Sequence, residues 1–362
     1  MADENYVLTP QEFARIANNF YYTNNLISDP ARIAVDSYFI QYFQQHAQDA
    51  KKKFKVALCC ICINSNYWQY VKNMIDGVRE FFLPGHDVDV LFWSDIPKPD
   101  DLEAFQKAEK ELLERNLNLG RAALPEQITA ETKDAIARGL ESAKLIHTNN
   151  LFPVEPIEWP MPTLMRYHTF LQQEERLKEY DYVFYCDVDM LFVGIVGDEI
   201  LSEGLTAAQH PMYALDKRFW PPYEPNEKST AYIKRPGQVI NDNGQPRFMP
   251  LYFAGGLQGG KTEKFIEAMK VMKARIDEDF TKDYVSIWND ESHWNKYLFE
   301  NPPTVVLTPS YIFPDSLIKE YYEKIWGCSY QPKLVTITKK DSQRKLTIQQ
   351  QQELARMERI PR

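Results

Sequence analysis

The chain has no apolar run long enough to cross a bilayer. Its longest such runs, Val56–Ile63 and Tyr182–Cys186, have the length of strands, which excludes a membrane-spanning helix. No leader is expected either. The first residues, MADENYVLTPQEF, are acidic and polar, unlike a secretory signal or a transit peptide. Cysteine is sparse, and five copies, an odd number, leave no basis for a disulfide framework. The expectation is a soluble protein of a reducing compartment, cytoplasmic in location. An excess of basic charge is lacking too. Lys and Arg number 42 against 51 Asp and Glu, a net charge of −9, which excludes a general nucleic-acid coat. A local basic patch on one phosphorylated ligand stays compatible with that balance. No period of roughly 20–50 residues recurs, so solenoids and propellers are excluded. What is present is material for a core: 44% hydrophobic and 13% aromatic residues over 362 positions suffice for one large domain or two ordinary ones. Aromatic side chains at that density serve packing and also stacking on sugars or bases.

Residues 1–53 read as a helical, aromatic N-terminal extension (Phe13, Phe20, Tyr21, Tyr22, then Tyr38, Phe39, Tyr42, Phe43) that ends in Lys51–Lys53. The run Lys55–Ile63 is continuous, apolar and β-branched, the pattern of a strand buried on both faces of a sheet. A helix over Tyr67–Phe82 and a strand over Asp87–Trp93 complete a βαβ unit, so an α/β domain is expected from residue 54 to about 338. Residues 97–150, rich in Glu, Lys, Ala and Leu with i→i+4 charge pairs, predict an insertion of two exposed helices. The pattern then resumes with a helix over Thr163–Tyr180 and a strand over Asp181–Phe192. A short strand near Thr206–His210 precedes a Pro- and Tyr-rich loop from about Pro211 to Pro250. The segment Phe253–Gly260 enters a helix beginning at Lys261, another helix starts at Asn289, and Thr304–Pro309 closes as a strand. The tail, 339–362, is basic and Gln-rich and is expected to be mobile.

The sharpest local signal is Asp187-Val188-Asp189 at the end of the strand VFYC. Residues two apart on a strand point to the same side, so two hard oxygen donors would converge on Mg²⁺ or Mn²⁺. The carboxyl ends of strands are where open α/β sheets bind ligands. The competing reading is an ordinary polar loop start, since Asp is common where strands end. In SIWNDESHWNKYL, Asn289 or Asp290 is the expected N-cap, and Trp294, Tyr297 and Leu298 form a core face. Asp290 and Glu291 then occupy the positive end of a helix dipole, which favours their ionised forms. Such a carboxylate suits an oxocarbenium-like centre, and it also suits simple capping. FAGGLQGG carries glycines where a backbone passes close to a ligand or to its own packing, but not the spacing of a phosphate loop. Cys59, Cys60 and Cys62 read as core strand, because no partner cluster with metal-ligand spacing follows.

Taken in order, YDYVFYCDVDMLF with VGDEIL, QHP, STAYI, FAGGLQGG, WNDESHWNKYL, PTVVLTPSYIF and a basic tail resemble glycosyltransferase family 6. That family contains the ABO blood-group transferases and the α1,3-galactosyltransferases. The resemblance covers roughly Phe54 to Lys345, with gaps, and is most specific around NDESHWNKYL. It implies a GT-A fold, a Rossmann-like mixed sheet with flanking helices, acting as the catalytic domain over 54–338. It also implies a UDP-sugar donor, Mn²⁺ (or Mg²⁺), and retaining transfer of galactose or N-acetylgalactosamine to O3 of a β-galactoside acceptor. Carried over by residue, it implies that Asp187 and Asp189 bind the metal and, with Val188, the diphosphate. Tyr67 would lie near the uracil, with Cys62 and Asn64 beside it, and Arg166 would support the nucleotide. His210, Trp288 and Glu291 would contact the acceptor. Asp290 would hold the donor sugar, Glu291 would be nucleophile or cation stabiliser, and Lys339 would reach the diphosphate. Ala254, Gly255 and Gly256 match the donor-selecting segment, where small residues resemble the N-acetylgalactosamine type. Many bacterial members carry Asn in place of the Asp pair; this chain keeps both Asp. Asn289 replaces the His usual after the Trp. No counterpart of the vertebrate N-terminal anchor is expected here, which would resemble a soluble microbial or viral form.

Two rival classes share these residues. A metal-dependent sugar-nucleotide phosphohydrolase would hydrolyse the donor without acceptor. A non-enzymatic carbohydrate-binding module would bind sugar independently of UDP and metal. In the transferase reading, ordering of the loop after Pro211 and of the tail excludes water from the donor.

Overall fold

The computed structural model describes residues 53–63, 65–97, 141–212, 221–234, 252–314 and 332–337, with isolated positions between 101 and 137. The N-terminal extension, most of the 97–150 insertion, the larger part of the 211–250 loop and the tail lie outside the described residues; residues 141–145 of the insertion are helical.

The expected both-face burial of the first strand is observed. In β1 (Lys55–Cys62), Val56, Leu58, Cys60 and Cys62 enter one apolar cluster while Ala57 and Cys59 enter another on the opposite face. Pleating sends successive side chains to opposite faces, so only an unbroken apolar run can satisfy both. The first face is covered by the helix Val71–Phe81 through Val71, Met74, Ile75 and Val78. The second is covered by helices that include Thr262–Thr281 and Asp290–Glu300, through Phe265, Met269, Met272, Trp294 and Leu298. Mixed α/β architecture is therefore the fold class.

The strands that follow are β2 (Asp87–Ser94), β3 (Leu151–Pro153), β4 (Tyr182–Cys186), β5 (Met190–Phe192), β6 (Leu205–Gln209), β7 (Phe253–Lys261), β8 (Val305–Leu307), β9 (Phe313–Pro314) and β10 (Leu334–Thr336). Seven of them form one sheet in the order β3-β2-β1-β4-β7-β6-β8, and β5-β10-β9 form a small second sheet. Within the large sheet β7 runs antiparallel to both β4 and β6, while the other pairs are parallel. The reversal has a direct consequence for the site. It brings the start of β7, Phe253–Gly256, to the sheet end where β1, β4 and β6 finish. Cys62, Asp187 and His210 leave the sheet at that same end.

Three expected elements are broken. The strand expected over Asp181–Phe192 is two strands in two sheets, and Asp187–Asp189 form the turn between them, with the Met190 amide donating to Asp187 O at 3.2 Å. The helix over Tyr67–Phe82 divides into Ser65–Trp68 and Val71–Phe81, where the buried Trp68 indole reaches across to Asp95 Oδ1 at 2.8 Å. The helix over Thr163–Tyr180 divides into Met161–Leu164, Arg166–Leu171 and Glu174–Leu177. Its first break, at Met165, lets the Arg166 Nε donate back to Thr163 O at 3.2 Å. In each case a long-range or side-chain contact overrides the local period.

Candidate functional site

Arg166 organises the site. Its side chain is 4% exposed, and its guanidinium lies 4.1 Å over the Tyr185 ring. Nη1 donates to Gly255 O at 2.9 Å, Nε pairs with Asp290 Oδ2 at 3.0 Å, and Nη2 lies 3.8 Å from Asp187 Oδ1. One planar cation thus ties the turn after β4, the start of β7 and the first residue of the helix Asp290–Glu300. Arg suits the role because its fork serves several acceptors and stays charged when buried.

Asp187 is held from three directions. Tyr185 donates its hydroxyl to Oδ1, the Asp187 amide donates to Gly256 O at 3.0 Å, and Arg166 stands beside Oδ1. Its side chain is 37% exposed, so this carboxylate is open to solvent and to a ligand. Asp189 is buried, and its carbonyl accepts the Ile337 amide at 3.1 Å, which ties β10 to the turn. Val188 points into the core, leaving only its backbone for a ligand. The two aspartates lie in a turn and not along a strand, so strand alternation does not place their side chains. Among the described residues, no group of three or more His, Cys, Asp or Glu side chains gathers as a metal site.

Asp290 departs from the sequence expectation. It opens its helix, where the dipole favours an anion, yet it is 1% exposed and burial pushes its carboxyl up to about 7 against the pull of Arg166. Desolvation outweighs the helix end. Its Oδ1 is buried without a hydrogen-bond partner. Asn289 is the N-cap by position only: its side chain makes no capping bond, and its backbone has φ 53°. A positive φ is adopted by Asn more often than by most residues. Its carbonyl accepts the Ser286 hydroxyl at 2.7 Å, and the Trp288 amide donates to Ser292 Oγ at 3.1 Å.

Glu291 accepts the Gly255 amide on Oε2 at 2.7 Å and is half-buried. One turn later Asn295 donates to Phe253 O and accepts from the Phe253 amide, both at 2.8 Å, fastening the helix to β7. The glycines of FAGGLQGG divide by purpose. A Cβ at Gly255 would lie 3.2 Å from Glu291 Cβ, and one at Gly256 would lie 2.7 Å from Asp187 Oδ2 and 3.0 Å from Ile312 Cδ1. These two glycines make room for the two carboxylates. Gly259 and Gly260, at φ 155° and 143°, instead relieve packing against β4 and β6.

His210 and Trp288 gather elsewhere. The His210 ring meets Tyr252 edge-on at 5.9 Å, and Trp288 packs against the small cluster of Tyr223, Ile233 and Tyr252. That cluster is carried by residues 221–234, which are anchored through buried Glu224: its carboxylate accepts the Tyr284 hydroxyl at 2.8 Å and the Ile287 amide at 2.7 Å. Ala254 is buried at the start of β7. Cys62 is fully buried, and burial pushes its thiol pKa up, so the strand end offers its backbone rather than sulfur. Tyr67 is half-buried against the core with its ring 6.3 Å from Tyr70. Asn64 and Lys339 lie outside the described residues.

Sequence reasoning missed Tyr185, Tyr167, Gln258, Asn295 and Glu224. Gln258 carried a readable signal, a lone amide in an otherwise apolar and glycine strand. The others are revealed only by their partners.

A mixed sheet with one reversed strand, and an Asp-x-Asp turn where its central strand β4 ends, defines a GT-A fold. Residues 157–335 match the model of glycosyltransferase family 6, and the chain carries a domain of that family. The matched span includes Arg166, Asp187, Asp189, the 254–256 segment and 288–291. Over 146 residues the chain is 38% identical to histo-blood group ABO system transferase 1 of Rattus norvegicus, covering 40% of this chain and 38% of that protein. Over 159 residues it is 31% identical to globoside alpha-1,3-N-acetylgalactosaminyltransferase 1 of Homo sapiens, covering 43% and 42%. It is also 26% identical over 163 residues to the O-antigen biosynthesis glycosyltransferase WbnI of Escherichia coli, covering 45% and 64%. The matches thus span about two fifths of the length of the two animal relatives. Among the described residues no helix is long and apolar enough to cross a membrane.

Proposed function

We propose that this chain is a glycosyltransferase that moves galactose or N-acetylgalactosamine from a UDP-sugar to O3 of a β-galactoside, with retention of anomeric configuration and dependence on a divalent cation. The observation that carries this reading is the Arg166 cluster, in which Asp187, Gly255, Asp290 and Glu291 converge on the start of β7. The names of its relatives, which include a glycosyltransferase of O-antigen biosynthesis and an α1,3-N-acetylgalactosaminyltransferase, support the reaction class.

The residues present fit a divalent cation. Asp187 and Asp189 are hard oxygen donors joined by one turn, and the accessible Asp187 carboxylate leaves coordination positions for diphosphate oxygens and water. When bound, Mn²⁺ or Mg²⁺ would neutralise charge developing on the departing diphosphate. The chain's own groups do the rest. Arg166 and Tyr185 hold Asp187 in place. Asp290 and the Ala254–Gly256 backbone orient the donor sugar, and Glu291, fixed by the Gly255 amide, faces the anomeric carbon as nucleophile or as stabiliser of its cationic character. His210 and Trp288, around Tyr252, receive the acceptor. Tyr67 and the ends of β1 take the uracil, and Lys339, two residues beyond Ile337, covers the diphosphate.

The test is a panel of UDP-galactose and UDP-N-acetylgalactosamine against β-galactoside acceptors, with product linkage read by NMR. The expected result is an α1,3-linked product, lost with EDTA and restored by Mn²⁺. Donor hydrolysis that ignores the acceptor would overturn transfer, and full activity in EDTA would overturn the metal requirement. Gly256→Ala is a second expectation. Its methyl group must displace the Asp187 carboxylate or Ile312, so Mn²⁺-dependent UDP affinity should fall about 10-fold while the melting temperature barely moves. Titration calorimetry with and without Mn²⁺ reads that change.

A further inference from the structure

Beneath the Arg166 cluster lie two fully buried polar side chains that the reaction above does not use, Tyr167 and Gln258. Tyr167 donates its hydroxyl to Gln258 Oε1 at 2.9 Å, which fixes the amide so that its Nε2 faces the site. Nε2 donates to Gly255 O at 3.0 Å and lies 3.5 Å from Asp290 Oδ2. Gly255 O also accepts from Arg166, so that carbonyl is held by two donors. On the other side of the same residue, the Gly255 amide is held by Glu291.

We propose that Tyr167 and Gln258 are a positioning pair that locks Gly255, and through it Glu291 and Asp290, in the geometry required for transfer. The inference rests on the transferase reading above. Its physical basis is the two-sidedness of an amide. With the phenol present, both ends of the Gln258 amide are satisfied, Oε1 by Tyr167 and Nε2 by Gly255 O. Without it, Oε1 is buried without that donor, and the amide is held from the Gly255 side alone and can shift toward another donor. Gly255, whose amide anchors Glu291, then loses a well-placed donor to its carbonyl on the other side of the same Cα.

Three variants test this: Tyr167→Phe, Gln258→Leu and the double substitution. Each single change strands one buried polar atom, so each should lower the melting temperature. The double change removes both polar groups together, and stability should return close to the parent. Turnover should not return. In the double variant kcat should stay down about 10- to 100-fold, with UDP affinity within about 2-fold of the parent. Hydrogen exchange at the Gly255 amide should quicken in all three. A purely structural role predicts that kcat recovers with stability in the double variant, and that result would overturn the proposal. Unchanged exchange at Gly255 in every variant would overturn it as well. If the parent itself transfers no sugar, the transferase reading fails, and the exchange measurement still decides whether the pair locks Gly255.

Discussion

Glu291→Gln should bind UDP as the parent does and transfer sugar on the order of 10³-fold more slowly. The substitution is nearly isosteric, and the amide oxygen of Gln can still accept the Gly255 N–H that Glu291 Oε2 now accepts at 2.7 Å. The backbone bond from Asn295 Nδ2 to Glu291 O is untouched, so the helix stays on β7. In the proposed mechanism, what disappears is one negative charge near a cationic sugar carbon. At about 4 Å and an effective dielectric of about 20, that charge is worth roughly 4 kcal/mol. Each 1.4 kcal/mol or so is a factor of ten in rate, which gives about three decades. Single-turnover kinetics alongside UDP calorimetry measures both halves. Near-parental turnover would remove Glu291 from the chemistry.

The largest effect on stability is expected at Arg166. Arg166→Met fills similar space with no charge, and it leaves Asp290 buried without its cation and Gly255 O with one donor fewer. Removing one partner of a buried ion pair typically costs about 3–5 kcal/mol, so the melting temperature should fall by about 10 °C or more. The pH dependence carries a signature. Asp290 already has its folded pKa raised to about 7, above the unfolded value near 3.9, so its protonated form favours the folded state. The stability it contributes is complete at low pH and is lost as pH rises through the folded value. Without Arg166 that folded value moves higher still. Parent and variant should therefore fall in parallel up to about pH 7, and the variant alone should keep falling beyond it. Adding Asp290→Asn should abolish the extra slope. Urea unfolding at a series of pH values reads this directly, and parallel curves at all pH values would mean that Arg166 does not control Asp290.

Local pattern made much of this molecule legible. Lys55–Ile63 announced a doubly buried strand because an unbroken, β-branched apolar run of that length fits one. Trp294, Tyr297 and Leu298 announced a helix face by spacing, and all three are buried. Asp187, Asp189, Asp290 and Glu291 stood out because paired carboxylates beside apolar segments need a reason. Motif order then pointed to the family whose domain the chain carries. Other features were invisible because their causes lie far away in sequence. Asp187 and Asp189 lie in a turn, not along a strand, because β5 leaves the main sheet to pair with β10, over 140 residues later.

The amino-acid sequence by itself determined the α/β class and most of the strands that build the sheet, and it singled out the carboxylates of the proposed site, since periodicity and residue type are local properties. Only the tertiary structure decided what each of those groups experiences. It buries Asp290 against Arg166, leaves Asp187 accessible, and assigns Gly255 and Gly256 to making room for Glu291 and Asp187. It also sets Tyr167 and Gln258 against Gly255, and Glu224 against Tyr284 and Ile287. Desolvation and hydrogen bonding depend on neighbours brought in from distant segments, and no window of sequence contains those neighbours.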